Sequence, residues 1–272
     1  MERHRITPEI TVLSDHAEVP GIGFLPVNTF VLHAEQPVVV DTGLSTPDKD
    51  YLSALADVID PADVRWVWLT HPDRDHTGGL WQLLEAAPKA KLITTFGGVG
   101  IMSCQWAVPM HRVQFLNPGE SLDIGDRTLT AKRPPLFDSP VTVGFQESFG
   151  GVLFASDCFG GAMPTAELAS APDLREVSED ERRAAQLLWA SVDSPWVRWV
   201  DRVAHRRNIN ELRSMAPSAV LSTHLPPAIG MNDQLFETLL EAPDGPEFSW
   251  PDQSALEAML AAFEPATATS VG

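Results

Sequence analysis

Thr70-His71-Pro72-Asp73-Arg74-Asp75-His76-Thr77-Gly78-Gly79 places four metal-ligating side chains within six residues, directly after an apolar run. His71, Asp73 and Asp75 alternate, so an extended segment would carry them on one side, with His76 at the turn into a helix starting near Thr77. Imidazole nitrogens mixed with carboxylate oxygens suit divalent zinc, iron or manganese. The competing reading is a polar strand-to-helix loop whose Asp and Thr only cap the helix. Four such residues at this spacing favour the metal site. Three further candidates follow strand-like runs: Asp138 after Pro134-Pro135-Leu136-Phe137, Asp157 after Val152-Leu153-Phe154-Ala155-Ser156, and His224 after Val220-Leu221-Ser222-Thr223. Side chains just past strand ends can converge on one edge of the sheets, as a two-metal site requires.

The elements that must position these residues are readable as apolar periodicity. Short runs rich in β-branched residues at 10–13, 29–33, 38–40 and 64–69 predict strands. Helical patterns at 47–58, after the Asp41-Thr42-Gly43 turn, and at 78–87 follow two of them. A second strand-rich half covers 91–95, 113–116, 127–132, 141–147 and 152–155, punctuated by the turns Asn117-Pro118-Gly119 and Ile124-Gly125-Asp126. Beyond Asp157, residues 179–190 and 195–206 carry apolar residues at helical spacing, and a last strand, 219–223, ends at His224. Two sheets enclosed by helices predict an α/β fold, an αβ/βα four-layer sandwich. The expected organisation is one domain over residues 1–264 and a disordered tail over 265–272.

The 272 residues are 44% hydrophobic, enough for a substantial core, and carry a net charge of −18. That charge would repel nucleic-acid phosphates and the anionic face of a membrane, so neither partner is expected. Cys104 and Cys158 form no disulfide framework or Cys-x-x-Cys motif. The first eight residues lead into no apolar signal region, and no stretch approaches a membrane span. A cytoplasmic protein with reduced thiols is the expectation.

Val40-Asp41-Thr42-Gly43, the motif from His71 to Gly79, Ser156-Asp157 and Ser222-Thr223-His224, in this order, resemble the metallo-β-lactamase superfamily over roughly residues 10–227. Within it the chain looks most like the di-iron domain of flavodiiron proteins and their stand-alone relatives, the oxygen-binding di-iron proteins. Those carry His-x-Glu-x-Asp-His, then a His, a bridging Asp in a Ser-Cys/Ala-Asp-Ala-Phe-Gly-like segment, and a final His. Ser156-Asp157-Cys158-Phe159-Gly160, the Trp-rich segment before the last strand and His224-Leu225-Pro226-Pro227 carry that likeness. The resemblance implies one metal on His71, Asp73 and Asp138, a second on Asp75, His76 and His224, and Asp157 as the bridge. Asp73 stands where the di-iron branch has Glu and zinc hydrolases usually have His, and Asp138 stands where both usually have His. The first metal would then have one nitrogen and three carboxylates, the second two of each. Oxygen-rich ligation favours iron or manganese over zinc. The extra carboxylate at 138 would also lower the reduction potential. An alternative keeps Asp138 as a loop carboxylate capping Val141 or Thr142, with water at the metal. Asp41 is implied as support, orienting a ligand histidine or capping the following helix.

The resemblance implies a dinuclear non-haem iron protein that binds or reduces O2, with NO or peroxide as related substrates and two iron ions as cofactor. The chain contains no flavodoxin-like domain for FMN and no rubredoxin-type cysteine site, so electrons would come from a separate donor. The alternative is a metal-dependent hydrolase acting on a small ester, lactone or thioester, in which a metal-bound hydroxide attacks. A third reading is a degenerate scaffold. His4, His16, His33, His111 and His205 read as surface or packed histidines, although the segment carrying His16 could lie over the site. Trp66, Trp68, Trp81, Trp189, Trp196 and Trp199 read as core or interface, the last two suggesting a homodimer. Cys158, beside Asp157, reads as a buried inert thiol.

Overall fold

The structure is a computed structural model that describes residues 1–44, 46 and 50–263, with side chains to residue 261. The expected tail 265–272 and the first three residues of the predicted helix 47–58 lie outside the described residues. Seven strands form the first sheet in chain order: β1 (Glu2–Thr7), β2 (Ile10–Val19), β3 (Gly23–Leu32), β4 (Val38–Val40), β5 (Trp66–Trp68), β6 (Lys91–Thr94) and β7 (Val113–Phe115). β1 to β4 pair antiparallel and β4 to β7 parallel. The second sheet holds β8 (Ser121–Asp123), β9 (Thr128–Lys132), β10 (Gly144–Glu147), β11 (Leu153–Phe154), β12 (Ala219–Leu221) and β13 (Ala228–Ile229), in the reverse spatial order β13 to β8. Only the pair β11–β12 is parallel there.

Alternation along the strands builds the layers. In β4, Val38 and Val40 point into the core between the sheets while Val39 faces the opposite side. β5 repeats this with Trp68 inward and Val67 outward. In β12, Leu221 meets the inter-sheet core and Val220 faces a third cluster. Strands covered on both faces have to be apolar at every position, which is why they read as unbroken Val, Trp and Leu runs. Over the first sheet lie α1 (Tyr51–Ala56), α2 (Leu80–Ala86) and α3 (Phe96–Ser103), through Tyr51, Leu55, Leu80, Leu83, Leu84 and Met102. α4 (Ala166–Ala169) packs against β2 and β3, and over the second sheet lie α5 (Glu179–Asp193), α6 (Arg202–Ser214) and α7 (Asn232–Glu241), through Leu187, Ile209, Leu212 and Phe236. The predicted four-layer sandwich is the observed fold. A last helix, α8 (Gln253–Phe263), follows.

Several elements differ from the sequence reading for identifiable reasons. β1 is a charged edge strand with no apolar alternation, the composition that protects an exposed edge. β2 runs six residues past the predicted end at 13, through Ser14, Asp15 and His16, because its neighbours bury these polar residues. His16 therefore lies in a strand, with Nδ1 3.3 Å from Ser170 Oγ, rather than in a loop over the site. α3 was not predicted: Phe96-Gly97-Gly98-Val99-Gly100 has poor helix propensity, but the Thr95 hydroxyl caps Gly98 N at 3.0 Å. The predicted helix 195–206 is two pieces, a 3₁₀ turn over Pro195–Trp199 and then α6. Asp201 starts the second piece by accepting from Val203 N and Ala204 N. Among the described residues no helix is long and apolar enough to cross a membrane.

Candidate metal centre

Three of the seven candidate residues share one offset. His71 follows Trp68, Asp157 follows Phe154 and His224 follows Leu221, each three positions past the last residue of β5, β11 and β12. The chain leaves these central strands through tightly held turns. Asp41, directly after β4, has φ 56° and Ser156 has φ 55°, left-handed conformations that cost an L-residue about 1–2 kcal/mol. Backbone pairing holds them there: Asp41 N donates to Trp68 O, and Thr223 N donates to Ser156 O.

The ligand motif is not a single extended row. It turns at Asp73, whose carbonyl accepts from both His76 N and Thr77 N at 3.1 Å. The turn divides the four residues into two groups. His71, Asp73 and Asp138 gather on one side, and Asp75, His76 and His224 on the other, with potential ligand atoms within 4.8 Å of one another in each group. Asp157 lies between them. Its Oδ2 is 3.3 Å from His71 Nε2, while its Oδ1 is 3.1 Å from His76 Nε2 and 3.4 Å from His224 Nε2. Asp75 Oδ2 is 3.3 Å from His224 Nε2 and 3.6 Å from His76 Nε2. Asp138 Oδ2 is 3.6 Å from His71 Nε2. Its Oδ1 only grazes the Thr142 hydroxyl at 3.5 Å, and Thr142 N donates to Ser139 O instead of being capped by Asp138.

The other ring nitrogen of each histidine is engaged. His76 Nδ1 donates to Asp41 Oδ2 at 2.9 Å, and His224 Nδ1 donates to Pro26 O at 2.7 Å. His71 Nδ1 faces the hydroxyls of Thr70 and Ser156, both at 3.3 Å. Nδ1 contacts of this kind fix the ring and leave Nε2 for a metal. His71 Nε2 and His76 Nε2 have no hydrogen-bond partner, although the residues are only 1% and 0% exposed. A buried nitrogen left unpaired costs about 1–3 kcal/mol, and a cation between the rings removes that cost. Asn28, not singled out in the sequence, supports the third histidine by donating to Leu225 O at 2.7 Å and Ser222 O at 3.3 Å.

Charge is as crowded as geometry. Burial alone would lower His224, but the carboxylates of Asp157 and Asp75 hold it up at about 9. Burial opposes protonation of His76 too, and Asp157, Asp41 and Asp75 together hold it well above its usual value. Burial would raise Asp157, yet His76, His71 and His224 hold it far below the carboxylate range. Asp75 is depressed in the same way by His76 and His224 against its burial. Asp138 moves the other way, raised by burial with help from Asp157 and Asp73. A further carboxylate missed in the sequence, Asp193 at the end of α5, is pushed up to about 8 by burial and by Asp157 and Asp138. Cations compete for a place that protons otherwise hold.

Outside the motif, His4, His16, His33 and His205 have structural partners, and His111 is exposed. His205 Nε2 is 3.0 Å from Leu239 O, His33 Nε2 is 2.9 Å from Thr11 Oγ1, and His4 Nε2 is 3.0 Å from Ser170 O. Trp68 Nε1 donates to Val143 O and Trp196 Nε1 to Phe137 O, as core residues do. Cys158 is buried, and burial pushes its thiol far up.

The fold around these residues has known counterparts. Residues 22–168 match the Metallo-beta-lactamase superfamily. An anaerobic nitric oxide reductase flavorubredoxin from Salmonella typhi is 25% identical over 134 residues, 49% of this chain and 28% of that protein. The rubredoxin oxygen:oxidoreductase of Desulfovibrio gigas superposes with a TM-score of 0.74 at 20% identity, over 89% of this chain and 61% of its own. The flavodiiron protein of Giardia intestinalis gives 0.74 at 18% identity, over 89% and 58%. This chain thus spans about a quarter of the flavorubredoxin and about three fifths of the two solved structures, whose likeness is one of fold. Since the sequence match takes in more than half of the chain, the protein belongs to the metallo-beta-lactamase superfamily.

Proposed function

We propose that the protein is a dinuclear non-haem iron protein that binds or reduces O2 or NO with electrons from a separate donor. The observation that carries this reading is Asp157, whose two oxygens face different sets of histidines. His71, Asp73 and Asp138 would hold one ion, Asp75, His76 and His224 the other, and Asp157 would bridge them. Aspartates at 73 and 138 support iron or manganese over zinc, because hard oxygen donors dominate the first site. Similarity to proteins named as nitric oxide and oxygen reductases supports redox chemistry at such a centre. When bound, two ferrous ions would supply two electrons to a diatomic substrate.

The protein's part is positioning and charge. Asp41, Pro26 O and the Ser156 and Thr70 hydroxyls fix the three imidazoles, so that no ring has to reorient when an ion changes charge. Asp157, Asp75, Asp73 and Asp138 supply four negative charges, which balance two divalent ions. Residues 1–264 would form one domain around this centre, working in the cytoplasm where Cys104 and Cys158 stay free thiols. A homodimer would cover Trp199 and Val203, which are 82% and 78% exposed. Sedimentation that found only monomer at micromolar concentration would remove that last point.

The deciding experiment is metal identity and stoichiometry by mass spectrometry, on untagged protein produced with iron, manganese and zinc all available. Close to two irons per chain, followed by O2 or NO consumption with a chemical reductant, is expected. Zinc in both positions together with ester or lactone turnover would replace this reading with a hydrolase.

A further inference from the structure

We infer that Asp193 is a direct metal-binding carboxylate of this centre, an additional aspartate on the ion held by His71 and Asp138. The inference rests on the two-metal reading above. Asp138, Asp157 and Asp193 each offer an oxygen, and the three oxygens lie within 4.8 Å of one another. A single hard cation with oxygens at ~2.1–2.4 Å spans about 4.2–4.8 Å between opposite ligands, so one ion can touch all three. His71 Nε2 provides an independent pointer to that ion. It is buried, without a hydrogen-bond partner, 3.3 Å from Asp157 Oδ2 and 3.6 Å from Asp138 Oδ2.

The position of Asp193 in its helix is otherwise unfavourable. It is the last residue of α5, where the helix presents its partial negative charge, and the last turn carries no basic residue. Ser194 Oγ donates to Asp193 Oδ2 at 2.9 Å, which leaves further acceptor capacity on the carboxylate. An anion at the negative end of a helix, beside two other carboxylates, is stabilised by a cation. Aspartate at 73 and 138 also reaches less far than the Glu and His that it replaces, and a ligand from α5 restores the coordination those shorter chains leave open. Five protein ligands, His71, Asp73, Asp138, Asp157 and Asp193, would make this ion's site one for a hard divalent cation such as manganese or ferrous iron.

Manganese alone, titrated calorimetrically into the metal-free full-length chain, tests this. The wild type is expected to take up two equivalents. Uptake of fewer would overturn the two-metal reading and the inference with it. In Asp193→Asn one equivalent should weaken by about 10–100-fold while the other stays within about twofold. Two unaltered equivalents in that variant would overturn the inference and leave the two-metal reading standing. Ser194→Ala removes the hydroxyl contact but keeps the carboxylate, and should bind as the wild type does; the same loss there would make Asp193 merely structural. If Asp193→Asn does not fold, diffraction from manganese-loaded wild-type crystals at the manganese edge decides. An Asp193 oxygen within ~2.6 Å of the ion supports direct ligation, and any longer separation rejects it.

Discussion

Asp41 illustrates how much of the centre depends on residues that would touch no metal. Its carboxylate accepts from Thr70 N at 2.8 Å, Thr70 Oγ1 at 2.9 Å, His76 Nδ1 at 2.9 Å and Thr223 Oγ1 at 3.3 Å. Asp41→Asn should lower metal affinity about 10–100-fold by freeing the His76 ring, and unchanged affinity in a manganese titration would remove that role. Asp138→Ala should lower the occupancy of one metal of the two, read by mass spectrometry; two full equivalents would exclude it as a ligand. Proton linkage follows from the histidines. His224 stands at about 9 in the folded protein against the ordinary 6.5. Its contribution to stability is therefore complete below pH 6.5 and is lost as the pH rises through 9. Asp157 and Asp75, depressed on folding, contribute above their ordinary 3.8 and lose that contribution only as the pH falls through much lower values. Metal uptake at pH 7 should thus release about three protons, from His76, His224 and Asp193, and affinity should climb until about pH 9. Calorimetry in buffers of different protonation enthalpy measures this directly, and a buffer-independent heat would contradict it. Six of the seven candidate ligands were legible because they follow β5, β11 or β12; Asp138, expected after a strand at 134–137, instead lies in the irregular stretch between Lys132, the end of β9, and Gly144, the start of β10. Asp193 was not legible, since it ends a helix and nothing in a linear chain brings it to Asp138. An acid at the negative end of a helix was the one signal available.

At the scale of the element, what matters is how strand ends are held. Glu147, which closes β10, is 1% exposed and accepts from Phe149 N, Gly150 N and Val152 N at 2.8–2.9 Å, with Arg127 3.7 Å away. This fixes the turn into β11 and hence the approach to Asp157. Glu147→Ala leaves three amides without their acceptor, while Arg127 keeps Asp126 at 2.6 Å, and should cost about 1–3 kcal/mol in denaturant unfolding; a loss below about 1 kcal/mol would show that water replaces the carboxylate. Gly160 is the second control point. A Cβ there would lie 2.6 Å from Trp189 Nε1 and 2.8 Å from His224 Cβ. Gly160→Ala should therefore displace His224 and weaken metal binding more than its overpacking cost of about 1–3 kcal/mol weakens the fold. Central strands were readable because burial on both faces forces apolar runs. β1, β8 and β13 were not, since short or charged edge strands follow their neighbours more than their own composition.

Across the whole molecule, the centre draws on both halves of the sandwich. His71, Asp73, Asp75 and His76 follow a strand of the first sheet, whereas Asp157 and His224 follow strands of the second. Metal would then tie the sheets together, as Asp41 already does through Thr70 and Thr223. Manganese at about 100 times its dissociation constant should add about 2.7 kcal/mol per site, raising the melting temperature by roughly 5–10 °C for a chain of this size. A melting curve insensitive to manganese would mean that the halves hold together independently of the site. The sandwich was legible because its layers follow from alternation along β4, β5 and β12. The split of the ligand motif into two groups was not, because it depends on a turn at Asp73 that the spacing conceals. The same packing gives the molecule an optical gauge. Of its eight tryptophans, Trp189 has its ring centroid 5.2 Å from the His224 ring, while Trp199 and Trp250 stand exposed. A transition metal beside His224 would quench the light emitted by Trp189, so the colour and intensity of the protein's own fluorescence report how full the centre is.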